Sequence, residues 1–209
     1  MNRENTFQIL VILAVLILII NPARAGNIDP YSNGSKYAYG ENVGWFNLKP
    51  SYGPGVLVYD GKLTGYIWQE NIGWINLSPA SYGGVTYNSN RHLSGFAWGE
   101  NVGWINFNPT VTGDPNNYGV KIGLNGNFSG WAWGENIGWI DFNGADLFGD
   151  GVKVCVVNYF DLKNFADQWL LQGPGHSADL YPDNNVDFKD FVILADNWSD
   201  FCPDSWPLK

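Results

Sequence analysis

Positive charge is scarce in this chain. Its 209 residues hold 11 Lys and Arg against 20 Asp and Glu, a formal net charge of −9. Phosphate binding needs a basic patch, so this balance argues against nucleic acid as a partner. Histidine is nearly absent: only His92 and His176 occur, each in a turn-like context that suits a surface residue better than a general base. No Cys-His or Ser-His-Asp grouping stands out, and no phosphate-cradling glycine loop precedes a helix. Beyond the first 20 residues no apolar run is long enough to cross a bilayer, which takes about 20 such residues.

The one long apolar run lies at the N-terminus, residues 9–20. Arg3 precedes it, Pro22 breaks it, and Ala23-Arg24-Ala25 follows as the small-x-small pattern of a signal-peptidase site. The expectation is a signal peptide over residues 1–25 and a secreted or cell-surface protein starting near Gly26. The alternative is an uncleaved N-terminal anchor. Glycine (26), Trp (11), Tyr (11) and Phe (12) are abundant, a mixture that fits ordered β-structure with tight turns and not disorder, which is poor in aromatics.

A repeat fills the middle of the chain. Gly40-Glu41-Asn42-Val43-Gly44-Trp45 recurs as Gln69-Glu70-Asn71-Ile72-Gly73-Trp74, Gly99-Glu100-Asn101-Val102-Gly103-Trp104 and Gly134-Glu135-Asn136-Ile137-Gly138-Trp139. The longest interval holds a polar Pro/Gly/Asn insertion at residues 110–117, which reads as a longer loop. Each full copy offers three strands, for example residues 84–87, 93–98 and 103–107, with the period-two alternation of β-structure. Asn and Gly supply the turn chemistry. The expected unit is a three-stranded β-meander, present four times. The first copy lacks its leading strand, while Gly151-Val152-Lys153-Val154 after the fourth copy resembles Gly119-Val120-Lys121-Ile122. That orphan strand could complete the first unit and close the array, removing its exposed edges. An open linear stack is the alternative.

Two readings of the repeated residues stand side by side. Glu41, Trp45, Glu70, Trp74, Glu100, Trp104, Glu135 and Trp139 could form a multivalent surface, with rings stacking on sugars and carboxylates bonding to hydroxyls. More simply, the Trp residues fill the core and Asn and Gly make the turns; the glutamates are then the members a turn does not require. The repeat resembles the tryptophan-rich Gly-Glu-Asn-x-Gly-Trp units of exported bacterial proteins over residues 37–142, a resemblance that implies no activity.

Composition changes near residue 143, giving expected domains of 26–143 and 144–209. Phe160, Phe165, Ala166, Trp169 and Leu170, then Phe188, Phe191, Val192, Leu194, Ala195 and Trp198, fall at helical spacing, and Asn158 suits an N-cap. Phe165-Ala166-Asp167-Gln168-Trp169 matches Leu194-Ala195-Asp196-Asn197-Trp198, so this region is a duplicated helical half-module. Before the second helix, Asp179, Asp183, Asp187 and Asp190 occupy positions 1, 5, 9 and 12 of a calcium-type loop, with Asn185 at the carbonyl position 7. Tyr181 at position 3 and Asn184 at position 6 depart from the pattern, although Asn tolerates the left-handed conformation needed there. The alternative is an acidic solvated loop. In the first half Val152 and Val154 replace ligand positions, with Asp146 and Asp150 left as contributors to a shifted site.

This region resembles a dockerin over residues 144–202, with Val186-Asp187-Phe188-Lys189-Asp190-Phe191 in the second half. The resemblance implies calcium-ordered loops, a helical face that docks onto a cohesin-type partner, and attachment to polysaccharide-degrading machinery. Cys155 and Cys202 bracket the module, and in an exported protein two cysteines usually pair. Catalysis has little support, since glycosidases need paired carboxylates in different environments and the four repeat glutamates are equivalent. The sequence therefore predicts a mainly β protein followed by a small α-helical dockerin-like module. Its expected function is that of an exported non-catalytic binding or scaffold protein, with calcium as cofactor and a cohesin-like protein or a polysaccharide as partner. A structural surface spacer and a polysaccharide-active hydrolase are the alternatives.

Overall fold

The computed structural model describes residues 26–112, 118–144, 151–203 and 205–208. The expected signal segment, most of the insertion at 110–117, and Asp146 and Asp150 lie outside the described residues. In chain order the strands are β1 (Tyr37–Gly40), β2 (Gly44–Asn47), β3 (Leu57–Tyr59), β4 (Lys62–Thr64), β5 (Tyr66–Gln69), β6 (Gly73–Asn76) and β7 (Val85–Tyr87). They continue as β8 (Leu93–Gly99), β9 (Gly103–Asn106), β10 (Lys121–Ile122), β11 (Phe128–Ser129), β12 (Trp131–Gly134) and β13 (Gly138–Asp141), and two helices follow, α1 (Tyr159–Ala166) and α2 (Phe188–Asp196).

Four hairpins, β1–β2, β5–β6, β8–β9 and β12–β13, pair edge to edge in a closed antiparallel barrel of eight strands. Successive hairpins join through β2–β5, β6–β8, β9–β12 and finally β13–β1. Closure, one of the two arrangements the sequence left open, leaves the barrel without an exposed edge. The period-two pattern decides what faces inward. Ala38, Phe46, Ile67, Ile75, Ala97, Ile105, Ala132 and Ile140 are all buried, and Leu48, Leu77, Phe107 and Phe142 continue the same core. Each fully buried large side chain of this set contributes about 1.5–3 kcal/mol. Small residues on the first strand of three hairpins face Phe or Ile on the second, Ala38 opposite Phe46, Ala97 opposite Ile105 and Ala132 opposite Ile140, as so narrow a barrel requires.

A second tier extends the barrel away from its hairpin tips. It consists of β3–β4, β7 with the first half of β8, β10–β11, and residues 152–154 lying against the chain near Ile28 and Lys36. Neighbours join through Lys62↔Thr86, His92↔Lys121 and Asn127↔Lys153. Where a strand passes from one tier to the other it bends at a glycine. A Cβ on Gly95, at φ 89°, would sit 2.1 Å from the carbonyl oxygen of Gly84, so no other residue fits. The orphan strand does complete the first unit: Lys36 bridges Val152, Ile28 bridges Val154, and Lys153 N–H donates to Ser35 C=O at 2.9 Å. The last junction of this tier is made by a side chain. Asn27 donates to Val58 C=O (2.8 Å) and accepts from Val58 N–H (2.9 Å), as a paired strand would.

The barrel core therefore reaches past residue 150, taking in Val152, Val154, Val156 and Phe201. A separate cluster of Cys155, Val157, Phe165, Ala178, Val186, Leu194, Cys202 and Leu208 holds α1 and α2 together. The two halves of this region use equivalent bonds. Leu170 N–H donates to Val186 C=O and Val186 N–H to Leu171 C=O; likewise Ser199 donates to Val157 and Val157 to Asp200. Each helix opens on a capping box, Asn158 with Asp161 and Asp187 with Asp190. A disulfide joins Cys155 to Cys202.

Candidate functional site

The tips of the four hairpins lie on one rim of the barrel, and each residue of the repeat has a local reason to be there. In the first copy Val43 N–H donates to Gly40 C=O at 3.3 Å, closing the turn, and Gly44 follows at φ 90°, the left-handed geometry of a three-residue hairpin loop. Val43, Ile72, Val102 and Ile137 turn inward and plug the mouth. The asparagines act between copies. Asn71 Nδ2 donates to Val43 C=O (3.0 Å), Asn101 to Ile72 (3.0 Å), Asn136 to Val102 (3.1 Å), and Asn42 to Ile137 (3.1 Å). The four bonds form a circle, each tip latched to the one before it. In the second copy Gln69 stands where the others have glycine; it is buried, donates to Val43 C=O and accepts from Asn71 and Ile72 N–H. The later Asn47, Asn76, Asn106 and Asp141 each accept from the backbone N–H two residues on, ending the second strand in an Asx turn.

The tryptophans are not core. Trp45 is 39 % exposed and Trp74 38 %, while Trp104 and Trp139 are half-buried on the same outer face. The simpler expectation, that these rings fill the interior, fails because the inward positions of the alternation belong to Phe46, Ile75, Ile105 and Ile140. Each outer ring meets an aromatic directly across its hairpin. Centroids are 5.0 Å apart for Tyr39–Trp45, 4.8 Å for Trp68–Trp74, 4.7 Å for Trp98–Trp104 and 4.9 Å for Trp133–Trp139, with planes 59–65° apart. A further ring from a loop lies on two of these pairs, Tyr82 on Trp104 and Tyr118 on Trp139.

Between hairpins the outer face is grooved. A groove of about 670 Å³ at the first junction is lined by Tyr37, Trp45, Asn47, Trp68, Glu70 and Asn71. One of about 640 Å³ at the second is lined by Tyr66, Trp74, Asn76, Trp98, Glu100 and Asn101. The residues correspond position by position. A third, of about 350 Å³, lies at the next junction between Asn106, residues 109–111, Trp133 and Trp139. In all three an Asn of one hairpin stands directly opposite a Trp of the next: Asn47 and Trp68, Asn76 and Trp98, Asn106 and Trp133. The closing junction differs, with Asp141 opposite Tyr39. Glu41, Glu70, Glu100 and Glu135 are exposed at the rim, and none makes a hydrogen bond or ion pair with a described residue. The sequence singled out Trp45, Trp74, Trp104 and Trp139 with the glutamates but missed Trp68, Trp98 and Trp133 as groove walls. The signal was available, since a three-residue loop places these residues across from the first set on the same face.

The aspartates before α2 are placed differently from a coordination shell. Asp179 accepts Asp183 and Asn184 N–H (3.2 and 3.0 Å), and Asn184 takes φ 64° as its position requires. Asp190 is buried, its two oxygens accepting Tyr181 and Asp187 N–H (2.7 and 2.8 Å). Asp187 accepts Lys189 N–H at 2.8 Å, and Asp183 pairs with the Lys189 ammonium at 2.6 Å and with Asn185. That lysine contact holds the Asp183 carboxyl below its ordinary value and raises Lys189. Among the described residues no three His, Cys, Asp or Glu side chains converge. Calcium takes six to eight oxygens; as folded, Asp179, Asp187 and Asp190 accept backbone amides and Asp183 pairs with Lys189, so the four carboxylates are not drawn together around one point.

Comparison with family models, with curated proteins and with solved structures finds no match to this chain. The site is therefore read from its own chemistry.

Proposed function

We propose that the barrel is a non-catalytic binding module for neutral polysaccharide. The observation that carries this reading is the recurrence, at the first two junctions, of an open groove walled by two tryptophans with an asparagine and a glutamate at hand, followed at the third by a smaller groove of two tryptophans and an asparagine. Pyranose rings present an apolar face for stacking and hydroxyls at their edges, and this combination meets both. The chain's negative charge and the glutamates at the rim disfavour acidic glycans. The two larger grooves each contain a single carboxylate, Glu70 or Glu100, so they lack the acid–base pair of a glycoside hydrolase. A membrane girdle would also place aromatics outward, but strands of four to seven residues reach only about 13–23 Å, short of the roughly 9–11 residues of a spanning strand. An array of neutral and acidic oligosaccharides tests the proposal. Neutral β-linked chains should bind and Trp74→Ala should weaken them; retention of acidic glycans alone would overturn it.

A second reading concerns the helical pair, which we propose as a docking face for a cohesin-type protein. It is favoured by Tyr159, Phe160, Phe188 and Val192, exposed apolar residues on the two helices. Calorimetry with purified cohesin domains should register heat that Phe188→Ala removes; no heat with the wild-type chain would discard this reading.

A further inference from the structure

The grooves face different ways. Successive junctions are two strands apart in a ring of eight, so each groove is turned a quarter of a revolution from the last. The groove walled by Trp45 and Trp68 and the one at Trp133 lie on opposite sides of the barrel. An eight-stranded ring at this strand spacing and tilt has a radius of about 8 Å, and its outer side chains reach roughly 13 Å from the axis. A chain passing from one groove to the next would travel about 20 Å along that surface while turning through a right angle. A β-1,4-linked glucan or mannan is a straight, stiff ribbon and cannot follow that path. The tips cannot rotate to bring grooves into line either, because the asparagine circle latches each to its neighbour.

From this arrangement, and resting on the polysaccharide reading above, we infer that the barrel is a cross-linker: its grooves hold separate polysaccharide chains and tie them into a network. Binding modules that serve a single chain align their aromatic rings along one face. Here the rings are dealt around a closed ring, which gains nothing for one straight chain and joins several. The rigidity that prevents alignment also fixes the angle at which the joined chains cross.

Two measurements test this on the full chain. Calorimetry with cellohexaose and with mannohexaose counts grooves; light scattering with hydroxyethyl cellulose and with galactomannan reads the network. The expected result is about three hexaoses per chain, with scattering that rises as protein is added, falls in excess protein, and is abolished by excess hexaose. A Trp45→Ala/Trp133→Ala variant, whose substitutions leave Trp68 in place against Trp74, shown to be folded by circular dichroism, should bind one hexaose at the remaining groove and produce no scattering. Hexaose bound at several grooves with no scattering at any ratio would overturn cross-linking and leave the binding reading intact. One hexaose per wild-type chain would overturn it as well. If neither hexaose binds, the polysaccharide reading itself falls.

Discussion

Asn27 offers the sharpest test of how this barrel is held shut. Its side chain is 8 % exposed and makes three bonds to buried backbone: to Val58 C=O at 2.8 Å, from Val58 N–H at 2.9 Å, and to Cys202 C=O at 3.0 Å. Asn27→Ala leaves all three groups without partners. An orphaned buried donor or acceptor costs about 1–3 kcal/mol, and with some relief from water reaching the gap the sum is about 3–6 kcal/mol. In a domain of this size that lowers the melting temperature by roughly 10 °C or more. Asn27→Asp is the control for volume. It keeps the acceptor for Val58 N–H but turns a carboxylate against two carbonyl oxygens, so it should destabilise at least as much as alanine. Thermal unfolding followed by tryptophan fluorescence, without reductant, reads both. If Asn27→Ala melts within about 2 °C of the wild type, or if Asn27→Asp does, the side chain does not close the second tier and the reasoning is wrong.

Reducing the Cys155–Cys202 disulfide, whose ends are 47 residues apart, should cost about 4 kcal/mol by loop entropy; a denaturant midpoint unmoved by reductant would contradict this. Trp74→Ala should weaken oligosaccharide binding at its own groove by about tenfold, as the loss of roughly 1.4 kcal/mol of ring contact would, while the groove at Trp133 and Trp139 stays as it was; equal loss at both would mean the variant has disturbed the barrel. Asp183 has its folded value lowered by Lys189. The stability it adds is therefore present above the ordinary carboxylate range and is lost as pH falls through the lowered value. Carboxyl NMR should find it titrating below its ordinary value and returning toward that value in Lys189→Met; a titration unchanged by that substitution would disprove the pairing. Millimolar calcium should leave the wild-type melting curve close to that in chelator, and a large rise would show that the ion displaces Lys189 from Asp183.

The strands were legible because period-two alternation and the Asn-Gly turns are local. Residues 84–87, 93–98 and 103–107 fall within one or two residues of β7, β8 and β9. The resemblance between residues 151–154 and 119–122 was enough to raise closure, yet pairing across so many residues has no local signature. The outward placement of the tryptophans was hidden for a different reason. Alternation gives two faces but not which one is inner, and Trp-x-Asn beside Ile-x-Phe can be read either way by hydrophobicity. The narrow ring decides it, since an interior that admits alanine and glycine opposite Phe46 or Ile105 has no room for indole. In the tail, spacing located the aspartates but not their partners. Tyr181 N–H on Asp190 and Lys189 on Asp183 are folded-state contacts that compete with a cation for the same oxygens.

That residues 152–154 complete the first unit has a consequence for the order in which the molecule can be made. All four hairpins precede this segment, yet the chain near Ile28 and Lys36, bonded on one side to Val58 and Leu48, lacks its partner on the other side until it arrives. A growing chain must therefore carry an unfinished edge through most of its length, and contacts of such sequence separation form slowly. During that interval the open edge is free to capture the matching segment of another copy. Concentration during refolding should then decide between monomer and exchanged dimer, and a chain truncated before residue 152 should remain trapped with the edge exposed.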